Sequence, residues 1–417
     1  MATKRNIIVG QSGGPTAVIN SSLAGVYKTA KERGFHKVYG MLHGIQGLLD
    51  EQYVDLATQI HSDMDIELLK RTPSAFLGSC RYKLPEIHEN PDLYEKIFKI
   101  LDKLEIEAFI YIGGNDSMDT IKKLSDYAII KGHSQKFLGV PKTIDNDLAL
   151  TDHTPGFGSA AKYIAASTKE LIRDARGLSY NKENITILEI MGRNAGWLTG
   201  ATALAKTEEC EGPDLIYLPE ITFDMDKFLA KVQELVKKQK NVVISVSEGI
   251  KLGDGRYVCE LSGGGDYVDA FGHKQLQGTA AYLAGFLGAK IGCKTRGVEF
   301  STLQRCASHM ASRTDIDEAF MVGGAAVKAA DEGDTGMMVV IDRKSDDPYI
   351  SAAGIYDVHR IANNEKVVPR EWVNREGNFV TDEFISYVKP LIQGSYHPFM
   401  VNGLPQHLVM KRGSGKK

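Results

Sequence analysis

Residues 141–148 read PKTIDNDL, which sets an ammonium at Lys142, a hydroxyl at Thr143 and carboxylates at Asp145 and Asp147 along one short stretch. Phosphoryl transfer calls for such a set: cations to neutralise the moving phosphate, a carboxylate to take a hydroxyl proton, and oxygens to orient a divalent metal. An acidic, solvated turn behind an apolar strand would carry the same residues, so the reading depends on their company. Just upstream, YIGGNDSMD offers Gly113 and Gly114, then Asn115, Asp116 and Ser117. A glycine turn before a helix presents backbone donors to an anion, but Asp116 repels one. Like charges about 4 Å apart cost on the order of 4 kcal/mol at an effective dielectric near 20. A metal or an ammonium must stand between, and Lys142 is the candidate. Other groups of the same character are Gly13 and Gly14 in GQSGGP, Arg81 behind Gly78 and Ser79, Arg193 after Met191 and Gly192, Glu248, Arg296 and Arg305. An arginine at a strand end can grip a sugar phosphate bidentately; a surface arginine in a loop reads the same. GQSGGP matches neither GxGxxG nor the Walker pattern, and an ordinary tight turn fits it equally.

Apolar runs at residues 6–9, 36–42, 108–112, 137–140, 185–190, 215–218, 242–246 and 336–341 read as strands, with a further strand from Arg296 through GVEFSTLQR to Arg305. Helical spacing marks residues 18–30, 65–71, 91–104, 118–124, 156–173, 225–240, 275–287 and 316–331, with Ser117 as an N-cap. Strand and helix alternate almost throughout, which predicts α/β architecture with mostly parallel sheets and right-handed crossovers. Six strand ends then carry the polar groups: GGP, GSCR, GGND, PKTIDND, MGR and SEG. Residues 261–269, with three consecutive glycines, read as an irregular loop. The tail from 363 is mixed and ends in a basic KRGSGKK expected to be disordered.

A length of 417 residues predicts two domains. With 43% hydrophobic and 25% charged residues there is ample material for cores. A net charge of -3 gives no field for nucleic acid, so phosphate binding must be local. The five cysteines form no CxxC pair, which fits a reduced cytoplasmic protein without a disulfide framework or a zinc site. No apolar run is long enough for a membrane span.

GGNDS, PKTIDND, MGR and SEG in that order make the chain resemble the phosphofructokinase family, most closely its pyrophosphate-using branch, over about residues 6–345. The resemblance implies two Rossmann-like, three-layer domains with the active site in the cleft between them. Residues 1–150 with about 306–365 would form the donor domain, and 151–305 with about 366–417 the sugar-phosphate domain. It further implies Mg²⁺, a homodimer or homotetramer, and transfer from pyrophosphate to the 1-hydroxyl of fructose 6-phosphate. Position by position, Asp145 resembles the general base, Thr143 a contact to the transferring phosphoryl group, and Asp147 a support for base and metal. Lys142 counts with Asp145 and Thr143 as catalytic. Met191, Gly192, Arg193, Glu248 and Arg305 resemble the sugar-phosphate site, and Arg296 an arginine donated by a neighbouring subunit. Gly13, Gly14, Arg81, Asn115, Asp116 and Lys142 would face pyrophosphate, with Asp116 also at the metal. ATP-using members have glycine where this chain has Asp116 and Lys142; a carboxylate there excludes the nucleotide's α-phosphate, and the lysine meets pyrophosphate. The chain departs from the family at Asn115, Asn184 and Thr302, where an aspartate, a basic residue and a histidine or tyrosine are usual. The alternatives are an ATP-dependent enzyme, activity also on sedoheptulose 7-phosphate, and a silent sugar-phosphate sensor, which would lack the base. A nicotinamide oxidoreductase would need GxGxxG after the first strand, and it is absent.

Overall fold

The computed structural model describes residues 5–178, 182–262 and 276–411. In chain order the strands of the two main sheets are β1 (Asn6–Gln11), β2 (Lys37–Met41), β3 (Tyr53–Asp55), β4 (Ile106–Gly113), β5 (Lys136–Pro141), β6 (Asn184–Ile190), β7 (Leu215–Tyr217), β8 (Asn241–Ser247), β9 (Lys294–Glu299), β10 (Met337–Asp346) and β11 (Tyr349–Asp357). They build a seven-stranded sheet, β11-β10-β5-β4-β1-β2-β3, and a four-stranded one, β7-β8-β6-β9. Pairing is parallel except at the two edges of the large sheet, where β3 and β11 run antiparallel.

Strands buried on both faces need unbroken apolar runs, and alternate residues then serve opposite layers. In β1, Ile7 and Val9 face a core shared with helices Ile19–Glu32 and Arg313–Glu332, while Ile8 faces one shared with helices Pro91–Lys103 and Asn115–Lys131. In the small sheet, Leu188 and Ile190 of β6 meet Phe157, Trp197 and Phe384, whereas Ile185 and Ile187 meet Phe228 and Leu287. Each sheet is thus the middle of three layers.

Several expectations need correction. GSCR ends no strand: it lies in the loop between helices Asp63–Arg71 and Pro91–Lys103, because β2 turns back through β3 first. The strand begun at Arg296 does not reach Arg305; β9 stops at Glu299, and Arg305 sits in a short helix, Leu303–Cys306. Ser117 is not an N-cap, since the helix starts at Asn115 with Gly114 capping. Leu261 and Ser262 close a 3-10 turn; the rest of the expected loop, Gln275 and all but the first residue of KRGSGKK lie outside the described residues.

The tail crosses the molecule. Val368, Val373, Val380, Phe384 and Leu391 pack beside the small sheet, while Leu408 and Met410 pack on the large sheet's core. Among the described residues no helix is long and apolar enough to cross a membrane.

Candidate active site

Parallel strands expose their last backbone groups at the carboxyl end, where a following turn can aim side chains at a ligand. Here β1, β4 and β5 from the large sheet and β6 and β8 from the small one end around two adjoining cavities of about 530 and 220 Å³. Gly14, Arg81, Lys142, Thr143, Asp145, Asp147 and Glu365 border both. The larger adds Gly13, Asn115 and Asp116; the smaller adds Met191, Arg193, Glu248 and Arg305.

The glycine loop after β1 is tied down on two sides. Gly13 turns at φ 76°, its N–H donates to Cys80 O at 3.1 Å, and its own carbonyl accepts from Ser79 Oγ at 2.6 Å. GSCR therefore reaches the cavity as a loop laid over that turn, carrying Arg81 with it. Lys142 leaves β5 with its N–H donating to Gly113 O at 3.0 Å, and its Nζ donates to Gly14 O at 2.7 Å. Burial pulls this ammonium down to about 8, against the pull of Asp145 and Asp147. At Asp116 the helix N-terminus favours a carboxylate, so its charge suits the fold whatever it does to a ligand. The helix can start so close to β4 because Gly113 has no Cβ, which would lie 1.9 Å from Ser117 Oγ.

Thr143 Oγ1 accepts from the Asp145 N–H at 3.0 Å, closing a local turn. Asp145 is partly buried where the two cavities adjoin. Burial raises its pKa, while Lys142, Arg193 and Arg305 pull the other way. Asp147 is pushed up to about 7 by burial, then by Asp145 and Glu365. Across the cleft, Gly192 at φ 133° accepts from Ser247 Oγ at 2.5 Å, and its N–H donates to Glu248 Oε1 at 3.4 Å. Glu248 is pushed up to about 8, by burial first and Asp145 second.

Gly192 shapes this turn without bordering a cavity. Arg296 stands apart: it lies on the edge strand β9, 45% exposed, 3.8 Å from Asp174. Thr302 is exposed, and Asn184 is buried at the amino end of β6, away from the cavities.

The Phosphofructokinase family profile matches residues 6–330. The chain belongs to the phosphofructokinase family. Of its relatives, the pyrophosphate--fructose 6-phosphate 1-phosphotransferase of Halomonas elongata is 42% identical over 408 residues, covering 97% of this chain and 95% of that protein. Its counterpart from Xanthomonas campestris is 40% identical, covering 98% and 97%. Among solved structures, the pyrophosphate-dependent phosphofructokinase of Nitrosospira multiformis superposes with a TM-score of 0.87 at 38% identity, each chain covered in full.

In this family member the residues that sequence reasoning missed come from the tail and the MGR turn. Asn363 and Glu365 border the larger cavity; Glu365 also borders the smaller and accepts from Asn194 Nδ2 at 3.2 Å. Asn115 Nδ2 donates to Asn364 O at 3.3 Å, so the segment crosses from one half of the cleft to the other. Glu365 arrives by antiparallel pairing with Leu148. No local pattern announces a contact between segments so far apart in the chain.

Among the described residues no three His, Cys, Asp or Glu side chains cluster as a self-sufficient metal site. A metal such as Mg²⁺ keeps most of its water and is held by one or two carboxylates plus substrate phosphates. Asp116 and Asp147, oxygen donors on one cavity, fit that mode.

Proposed function

We propose that this chain reversibly transfers a phosphoryl group from pyrophosphate to the 1-hydroxyl of fructose 6-phosphate, giving fructose 1,6-bisphosphate and phosphate. The observation that carries the reading is the larger cavity, bordered by both Lys142 and Asp116, at positions where the family resemblance implies glycine in ATP-using members. A bare diphosphate meets an ammonium there, whereas a nucleotide would meet a carboxylate.

Asp145 takes the proton of the sugar's 1-hydroxyl as its oxygen attacks phosphorus. The anhydride P–O bond breaks and phosphate leaves. Thr143, beside the base, contacts the transferring group, and Lys142, Gly13, Gly14 and Arg81 cradle the diphosphate. Asn115 lies along the same wall. Arg193 and Arg305 hold the 6-phosphate, Glu248 accepts from sugar hydroxyls, and Met191 and Gly192 shape that pocket. Asp116 and Asp147 would hold Mg²⁺, which supplies neutralisation of the phosphate oxygens. A lowered lysine and raised carboxyls in one enclosed space are the ordinary mark of groups tuned for proton and charge transfer. We also assign the two sheets to the two domains, and Arg296 to the cleft of a neighbouring subunit in a homodimer or homotetramer.

Phosphorus NMR of the enzyme with fructose 6-phosphate, pyrophosphate and Mg²⁺ tests the reaction. The pyrophosphate signal should give way to equal amounts of phosphate and a new sugar 1-phosphate ester. Persistence of pyrophosphate through prolonged incubation would overturn it.

A further inference from the structure

The loop bearing Asp145 and Asp147 turns on Asn146, whose φ of 53° is left-handed. Asparagine visits that region at some cost, and holds it when its side chain is fixed. Asn146 is completely buried, and its amide is bound at both ends. Nδ2 donates to Tyr387 Oη at 2.9 Å; Oδ1 accepts from Thr154 N at 3.1 Å and from Lys366 Nζ at 3.2 Å. The same ammonium donates to Thr151 O at 3.2 Å and Asp152 O at 2.6 Å, and Tyr387 Oη donates to Asp152 O at 2.6 Å. The Lys366 N–H donates to Asp147 O at 2.8 Å, and its Nζ lies 5.3 Å from the centre of the Trp197 ring.

Lys366 borders neither cavity. Its hydrogen bonds go to the far side of the loop whose near side carries the two carboxylates. Burying an ammonium is costly, and an apolar residue of similar length would usually pack there at less cost. What an apolar residue cannot do is bind Asn146 and the two carbonyls at once.

We propose that Lys366 is a positioning residue for phosphoryl transfer: bound to Asn146, Thr151 and Asp152 from behind, it fixes the left-handed turn that aims Asp145 and Asp147 into the cleft. The inference rests on the reaction assigned above. Misplacing a reacting group by about 1 Å costs on the order of 100-fold in rate.

Steady-state kinetics with fructose 6-phosphate and pyrophosphate test it, with circular dichroism confirming each variant folded. Lys366→Met should lower kcat by about 10- to 100-fold and leave both KM values within about threefold of the parent. Asn146→Gly, which keeps the turn's φ and deletes its bracket, should lose a similar factor, and the double variant no more than the worse single one, since the two act as a unit. A near-parental kcat in Lys366→Met, a rise in KM with kcat unchanged, or losses that multiply in the double variant would each overturn the proposal. If Lys366→Met does not fold, Tyr387→Phe decides: kcat should fall by about three- to tenfold, the worth of one hydrogen bond, with KM held and the same coupling to Asn146→Gly. An unchanged kcat would sink the idea. A parent without this activity overturns the reaction assignment and the proposal together, whereas an active parent beside an unaffected variant overturns the proposal alone.

Discussion

Asp145 is enclosed enough for burial to favour its protonated form, and Lys142, Arg193 and Arg305 are what keep ionisation within reach. If it is the base, Asp145→Ser should cut turnover by at least about 100-fold while fructose 6-phosphate binding by calorimetry stays near the parent's; an unimpaired rate would mean another base. Glu248 offers a test on stability. Its folded pKa, about 8, lies above the ordinary 4.5, so its contribution to folding is fully present below 4.5 and is lost as pH rises through about 8. Glu248→Gln should therefore raise the melting temperature at pH 9 by about 2 °C or more and change it little at pH 5; the opposite ordering would refute the burial argument. PKTIDND, GGND, MGR and SEG were legible because each is a local cluster, and all four reach the cleft. Glu365 and Lys366 were not, because they act through contacts with Leu148, Asn146 and Asp152 that only the folded chain creates.

At the scale of elements, period-2 and period-3.6 patterns found the buried strands and long helices, since these bury one consistent face or both. They missed β3 and β11, edge strands with few buried residues, and misplaced Arg305, where a strand gives way to a four-residue helix within GVEFSTLQR. The sequence likewise does not announce how tightly helices Ile19–Glu32 and Arg313–Glu332 cross. A Cβ on Gly323 would lie 2.0 Å from Ser22 O, and one on Gly25 2.1 Å from Phe320 O. Gly323→Ala should thus destabilise the protein by about 1–3 kcal/mol, read as a lower urea midpoint with the slope unchanged; no shift would mean that the two helices have room for a methyl group at their crossing. Because that pair backs the large sheet rather than the cleft, KM should hold in the folded fraction.

For the whole molecule, the alternation of strands and helices announced two parallel sheets, but not the tail, whose route over the small sheet and back to the large one follows no local pattern. Nor does Arg296 border either cavity of its own chain; it stands partly exposed beside Asp174 on the edge strand β9. Mixing Asp145→Ser protomers with Arg296→Ala protomers, each nearly inactive alone, should restore a fraction of the parent rate through hybrid oligomers; mixtures as inactive as their components would place Arg296 outside any cleft. The central claim concerns the donor, and Lys142 with Asp116 is the pair that decides it. The most direct measurement is kcat/KM for pyrophosphate against kcat/KM for MgATP, at saturating fructose 6-phosphate and fixed Mg²⁺. A preference for pyrophosphate of at least about 100-fold is expected, the scale on which uncompensated like-charge contact discriminates between ligands; equal rates, or turnover with ATP and none with pyrophosphate, would contradict it.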